Sequence, residues 1–197
     1  MRSSRTLLLA MVLWVLMPAS LLAQSAQRLS VQGSGLWLKL LGDNFEGTDA
    51  GYGFEAQVRY TPSAFSIGAG FQWTSHGVDG SPDRATLVGG FVEPRYVFST
   101  ASSSLFPYLS GRFYAVRFRS ENSANNTRTT STGLAANGGG GVLVRITPRV
   151  NVDLGATFGY FKFNEFTFEN LGTGIEGTGE GNNGSNVVGR VGLTFGL

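Results

Sequence analysis

Between residues 51 and 76 the chain alternates, one residue in two, between bulky apolar side chains and small or polar ones. Tyr52, Phe54, Ala56, Val58 and Tyr60 interleave with Gly53, Glu55, Gln57 and Arg59. Phe65, Ile67, Ala69, Phe71 and Trp73 interleave with Ser66, Gly68, Gly70, Gln72 and Thr74. A period of two belongs to extended strands, whose successive side chains point to opposite faces. A water-soluble barrel would turn the apolar set inward. Here the apolar residues are bulky and the polar face is studded with glycine, which suits a crowded interior. The pattern therefore predicts strands whose charges face an axis and whose aliphatic and aromatic side chains face lipid.

The same period recurs to the end of the chain. Strands are expected over about 28–41, 51–60, 65–76, 85–98, 105–119, 132–146, 151–164 and 186–197, with slips near Trp37, Tyr114 to Val116 and Phe161 that predict bulges or strand ends. No helical period of comparable length competes. The connections 61–64, 99–104 and 147–150 are short, whereas 42–50, 77–84, 120–131 and 165–185 are longer and rich in Gly, Asn, Asp and Thr. Short turns on one rim and long loops on the other describe an up-and-down barrel that crosses a membrane. Eight steps from Tyr52 to Tyr60 at about 3.3 Å, tilted by roughly 40°, span on the order of 20 Å, close to the apolar band of such a barrel at roughly 25 Å.

Composition agrees with this reading. Twenty-nine glycines, 12% aromatic residues and only 14% charged residues suit closely approaching strands, and the absence of cysteine removes disulfides and thiol-ligated metals. Residues 1–23 have the order of a secretory signal peptide: Arg2 and Arg5, an apolar run from Leu7 to Met17, then small residues, with cleavage expected after Ala23 or Ala26. The barrel domain is then 24–197. Losing Arg2 and Arg5 leaves equal numbers of basic and acidic residues, so nucleic acid is not an expected partner.

Registers follow if the short connections are tight turns. Tyr60 would then face Phe65, with Phe54 opposite Phe71 and Tyr52 opposite Trp73; Arg95 would face Tyr108; and Arg145 would face Asp153, with Gly140 and Gly138 under Phe158 and Tyr160. Tyr52, Tyr60, Phe65, Trp73, Tyr96 and Phe98 form the expected lipid-facing aromatic girdle. The expected interior charges are Lys39, Glu55, Arg59, Glu93, Arg95, Arg112, Arg117, Arg145, Asp153 and Arg190, which read as a ladder of ion pairs filling the axis.

The segment Phe106-Pro107-Tyr108-Leu109-Ser110-Gly111 and the closing run Val187-Val188-Gly189-Arg190-Val191-Gly192-Leu193-Thr194-Phe195-Gly196-Leu197 resemble the eight-stranded outer-membrane barrels of OmpA and OmpX type. The resemblance covers the chain after the leader. It implies the outer membrane of a Gram-negative bacterium, contact with membrane lipid and lipopolysaccharide, and insertion by the barrel assembly machinery through the last strand. Leu197 stands where many relatives have Phe. No peptidoglycan-binding domain follows residue 197, so that role is not expected.

Several motifs carry weaker chemistry. Ser75 and His76 are adjacent, so on a strand they point to opposite faces and make no dyad; His76 is expected as a solvated rim residue. Gly172-Thr-Gly-Ile-Glu-Gly177 matches a dinucleotide fingerprint but opens no helix, so a loop is expected. Ten of the thirteen acids lie in or beside the long loops, where they favour solubility; Asp43, Asn44, Glu46 and Asp49 cluster without the spacing of a defined calcium loop. No cofactor, metal or catalytic residue is expected. The expected function is structural or surface-interacting, from a monomeric, side-chain-filled barrel; the alternatives are an OmpW-like small-solute channel, a lipid-modifying enzyme and a soluble lipocalin-like barrel.

Overall fold

The structure, a computed structural model, describes residues 28–79 and 81–197. The expected leader and its cleavage after Ala23 or Ala26 lie outside the described residues. The period-2 segments form β1 (Leu29–Leu41), β2 (Gly51–Tyr60), β3 (Phe65–Val78), β4 (Ser81–Val97), β5 (Leu105–Asn122), β6 (Thr127–Thr147), β7 (Val150–Asn170), β8 (Glu176–Glu180) and β9 (Asn183–Gly196), with one 3-10 turn at Asp43–Phe45. Neighbours from β1 to β7 pair antiparallel in sequence order, and β9 pairs with both β7 and β1. Eight strands therefore close on themselves. The ninth, β8, pairs with β7 alone and extends the wall upward beyond the barrel.

The wall is inverted in polarity relative to a soluble barrel. Phe54, Val58, Ile67 and Phe71 are about half exposed, whereas Glu55 is 1% and Arg59 3% exposed. The other strands repeat this outward set with Val92, Leu109, Phe113, Leu134, Phe158 and Val191, all exposed. Water would not tolerate such a continuous apolar belt around buried charge. Hydrocarbon does, and closure satisfies every wall strand's ladder without an exposed edge. The fold is a transmembrane β-barrel.

The registers differ from those expected, each by two residues. Tyr60 faces Ile67, Arg95 faces Ser110, and Asp153 faces Leu143. Arg145 lies opposite Asn151, and Gly138 rather than Gly140 lies opposite Phe158. A shift of two preserves the face of every side chain, so the inside and outside sets survive it. Phe54 now pairs with Trp73, yet its ring still meets that of Phe71 at 6.0 Å and the indole at 5.8 Å.

Three of the four long connections are largely strand. β3 and β4 leave only residues 79–80 between them, β5 and β6 pair out to Asn122 opposite Thr127, and β7 runs on to Asn170. The wall is thus much taller on the β5–β8 side than at the ten-residue β2. Only the first connection, residues 42–50, remains a loop, and it crosses back over the barrel.

Of the slips expected near Trp37, Tyr114 to Val116 and Phe161, only the last has a bulge beside it, where Phe163 pairs with Gly133 and Glu165 with Thr132. Leu36, Leu38 and Leu40 point inward in unbroken alternation with outward Trp37 and Lys39, and Tyr114, Val116 and Phe161 are likewise inward. At these residues the alternation itself holds; the interior changes chemistry. Register shifts fall at Gly77/Val78, at Thr132/Gly133 opposite that bulge, and at Arg145/Thr147.

Candidate functional site

The interior has two compartments stacked along the axis. On the short-turn side lie seven charged side chains, each at most 5% exposed: Glu55, Arg59, Glu93, Arg95, Arg112, Asp153 and Arg190. They come from β2, β4, β5, β7 and β9, and alternation alone delivers them, because each occupies the inward parity of its strand.

Glu93 is the hub. Its Oε1 accepts from Arg59 Nη2 at 2.9 Å and Arg95 Nη2 at 2.8 Å, and its Oε2 accepts from Arg112 Nε and Arg190 Nη1, both at 2.6 Å. Glu55 takes a second grip on Arg112 through Nη1 at 2.5 Å and accepts from Ser34 Oγ at 3.2 Å. Asp153 accepts from Arg95 Nη2 at 2.9 Å, Gln32 Nε2 at 2.8 Å and the Tyr108 hydroxyl at 2.6 Å. Arg190 Nη2 donates to that same hydroxyl at 2.9 Å. Every carboxylate has several charge-assisted donors, which is the condition for tolerating buried charge. Glycine makes the room. A Cβ at Gly141 or Gly155 would collide with the Tyr108 ring end, so the tyrosine can cross the lumen only because both are bare.

Two of the ten expected interior charges face outward. Lys39 is on the outer parity of β1 and donates from Nζ to Thr48 O at 2.7 Å; Arg117 is exposed on β5. Both errors have one cause. Reading polar as inward fails where the inward residues are Leu38, Leu40 and Val116. Arg145 is half-buried at the turn-side end, with its guanidinium 4.6 Å over the Phe106 ring, and does not lie opposite Asp153. Of the expected girdle, Tyr52, Tyr60, Phe65, Trp73 and Phe98 are 36–67% exposed, and half-buried Tyr96 meets Phe98 edge-on at 5.1 Å.

The loop-side compartment is apolar. Leu38, Leu40, Leu87, Phe91, Tyr114 and Val116 pack there with Phe161 and Phe163, and Phe45 drops onto them from the 3-10 turn. Its ring meets Phe161 at 5.1 Å and Phe118 at 6.1 Å, both edge-on. Periodicity does not reveal this residue. The available signal was a lone phenylalanine inside a Gly, Asp and Asn loop.

His76 is fully buried, not a solvated rim residue. Loop 42–50 covers it: Nδ1 lies 3.1 Å from Asp49 O, Nε2 lies 3.0 Å from Thr74 Oγ1, and the imidazole sits over Gly51, where a Cβ would strike it. Ser75 is on the other face, its Oγ accepting from Arg84 Nε at 2.6 Å. The two form no dyad. Gly172-Thr-Gly-Ile-Glu-Gly177 makes the turn between β7 and β8 and enters β8, with Gly174 at φ 69°. Among the described residues no three of His, Cys, Asp and Glu gather as a metal-holding group.

Above the belt, the β5–β6 hairpin carries a separate surface network. Glu121 accepts from Arg128 Nε at 2.8 Å and from Arg119, and Arg128 Nη1 reaches Glu169 at 3.2 Å. Hydrogen bonds from both arginines hold the Glu121 carboxyl below the usual glutamate value of 4.5.

No protein-family model matches the chain, and no curated protein does. Solved structures do match. The chain is similar to Neisserial surface protein A (NspA), with a TM-score of 0.65 and 17% identity over 86% of this chain and 97% of that one. It is also similar to a major outer membrane protein from Thermus thermophilus, with a TM-score of 0.54 and 12% identity over 85% of this chain and 98% of that one. With eight wall strands, inverted polarity and this likeness together, the chain has the fold of the small outer-membrane β-barrels.

Proposed function

We propose that the chain is an integral outer-membrane protein whose barrel is a closed anchor and whose tall β5–β6 and β7–β8 hairpins meet partners at the cell surface. The observation that carries this reading is the Glu93 hub. Four arginines and three carboxylates from five strands converge on the axis, where an eight-stranded barrel has room for side chains and little else. Solute passage would have to break several charge-assisted bonds at once.

Further features support the reading. The leader over 1–23 fits export, with the barrel domain beginning at 24. Outward Val191, Leu193 and Phe195 on β9 suit both lipid and the barrel assembly machinery. The exposed aromatic residues at the belt's ends suit a girdle at the lipid headgroups, and the polar hairpins above it suit the solvated region beside lipopolysaccharide. A wall without free edges has no need of a second copy, which favours a monomer. Burial of His76 beneath loop 42–50, away from Ser75, argues against hydrolysis, and His76→Ala is expected to leave the lipid A profile unchanged.

The test is electrical. Protein reconstituted in planar bilayers should be silent at moderate voltage, while in intact cells an epitope inserted between Asn122 and Thr127 should bind antibody. Steady conductance would overturn the closed anchor in favour of a small-solute channel, and an unlabelled epitope would overturn the surface role.

A further inference from the structure

We propose that the loop-side compartment is a binding site for a small aromatic molecule bearing a hydroxyl group, and that the Phe45 ring occupies its seat. Four observations converge on this. Phe45 is only 6% exposed although it belongs to a polar turn, and that turn lies between Gly42 at φ 122° and Gly47 at φ 80°. Two left-handed positions that favour glycine bracket the segment that delivers the ring.

The ring lines one space and packs on the wall of another. Above it a cavity of about 270 Å³ opens among Asn44, Phe118, Ser131, Phe163 and Phe166. That is near the lower end of small-molecule pockets, roughly 300–1,000 Å³. A second chamber of about 20 Å³ lies among Leu38, Leu87, Tyr114, Val116 and Phe161, and the Phe45 ring packs edge-on against the last of these. Phe163 lines both spaces and Phe45 packs with it and Phe161, so these rings form the partition and withdrawing Phe45 thins it from the mouth side.

β7 continues the aromatic lining upward. Phe163 pairs with Gly133 and Glu165 with Thr132, which leaves Asn164 as the extra residue of a bulge. A bulge changes which parity faces inward. Phe166 consequently joins Phe163 on the wall of the mouth cavity, where unbroken alternation would have turned it out.

The last observation sets the ligand's polarity. Gln72 lines the chamber at 1% exposure, and its Oε1 has no hydrogen-bond partner among the described residues. A buried amide oxygen without a donor is costly. A hydroxyl on an otherwise apolar ring supplies the missing donor.

The test uses 2-naphthol and naphthalene as probes, titrated against the protein in lipid nanodiscs, with heat-modifiable gel mobility confirming barrel closure of each variant. Wild-type protein should show saturable 2-naphthol binding above lipid partitioning. Phe45→Ala, which empties the seat, should tighten it by about tenfold. Ala135→Trp, filling the chamber from β6, should abolish it; if that variant does not close, Ala135→Phe replaces it. Gln72→Leu should weaken 2-naphthol by roughly 2- to 10-fold and leave naphthalene unchanged. Binding of 2-naphthol that is not saturable, or is indifferent to Phe45→Ala and to chamber filling, would overturn the site; equal effects of Gln72→Leu on both probes would overturn the hydroxyl requirement.

Discussion

The two halves of the barrel interior solve one packing problem with opposite chemistry. On the turn side the lumen is filled by arginines and carboxylates whose geometry is set by donors and acceptors; on the loop side it is filled by leucine, valine and phenylalanine whose fit is set by volume. The charged half is unforgiving, since each carboxylate serves several donors and removing one strands the others in a dry space. The apolar half is adaptable, because hydrocarbon surfaces lose only contact area when a neighbour shifts. Each role accordingly has its own place: closure belongs to the first half, and accommodation of a guest to the second.

Single substitutions in each half measure how far the two differ. The largest loss is expected for Glu93→Gln, which deprives Arg59, Arg95, Arg112 and Arg190 of their shared carboxylate and should cost about 3–5 kcal/mol. Urea unfolding followed by gel mobility measures it. A loss no greater than that of an average apolar truncation would erase the distinction between the halves. Leu38→Ala, at 2% exposure in the apolar half, should cost about 3 kcal/mol and leave the charged half intact. Tyr108→Phe removes only a hydroxyl that donates to Asp153 and accepts from Arg190, and should cost about 1–2 kcal/mol by the same assay.

The smallest effect lies outside both compartments. Glu121 titrates below the ordinary glutamate value, so its contribution to the β5–β6 hairpin is complete above that value and lost as pH falls through the lowered one. A carboxyl-carbon NMR titration should give a midpoint below that of a glutamate in an unstructured peptide, with global stability nearly unchanged because the group is exposed. An ordinary midpoint would mean that Arg119 and Arg128 do not hold it in solution.

Much of this was legible in the sequence, for a definite reason. Where interior and lipid differ most in chemistry, as along Glu55, Gln57 and Arg59 against Phe54, Val58 and Tyr60, alternation exposes both faces at once. The seven hub residues all lie on the inward parity that this alternation assigns. Legibility ended where the interior turned apolar, because Leu36 to Leu40, Tyr114, Val116 and Phe161 then resemble their lipid-facing neighbours. Apparent slips were read there, and Lys39 and Arg117 were turned inward. Registers were displaced because turn length alone does not reveal how many residues at a turn leave the ladder. The tall hairpins were hidden by composition: Thr, Asn and Gly suggest loops, yet above the belt β5, β6 and β7 can pair with both faces in water. Phe45 was invisible to any periodicity, because a single side chain from a 3-10 turn has none.

The polarity of the wall is tested most directly by single-cysteine labelling, which the absence of native cysteine makes clean. Val58→Cys, Ile67→Cys and Ser66→Cys, each reacted with a small fluorophore in bilayers containing nitroxide-bearing lipid, report which face meets hydrocarbon. Strong quenching at positions 58 and 67 with little labelling or quenching at 66 is the expected result; quenching at 66 with protection at 58 and 67 would contradict it.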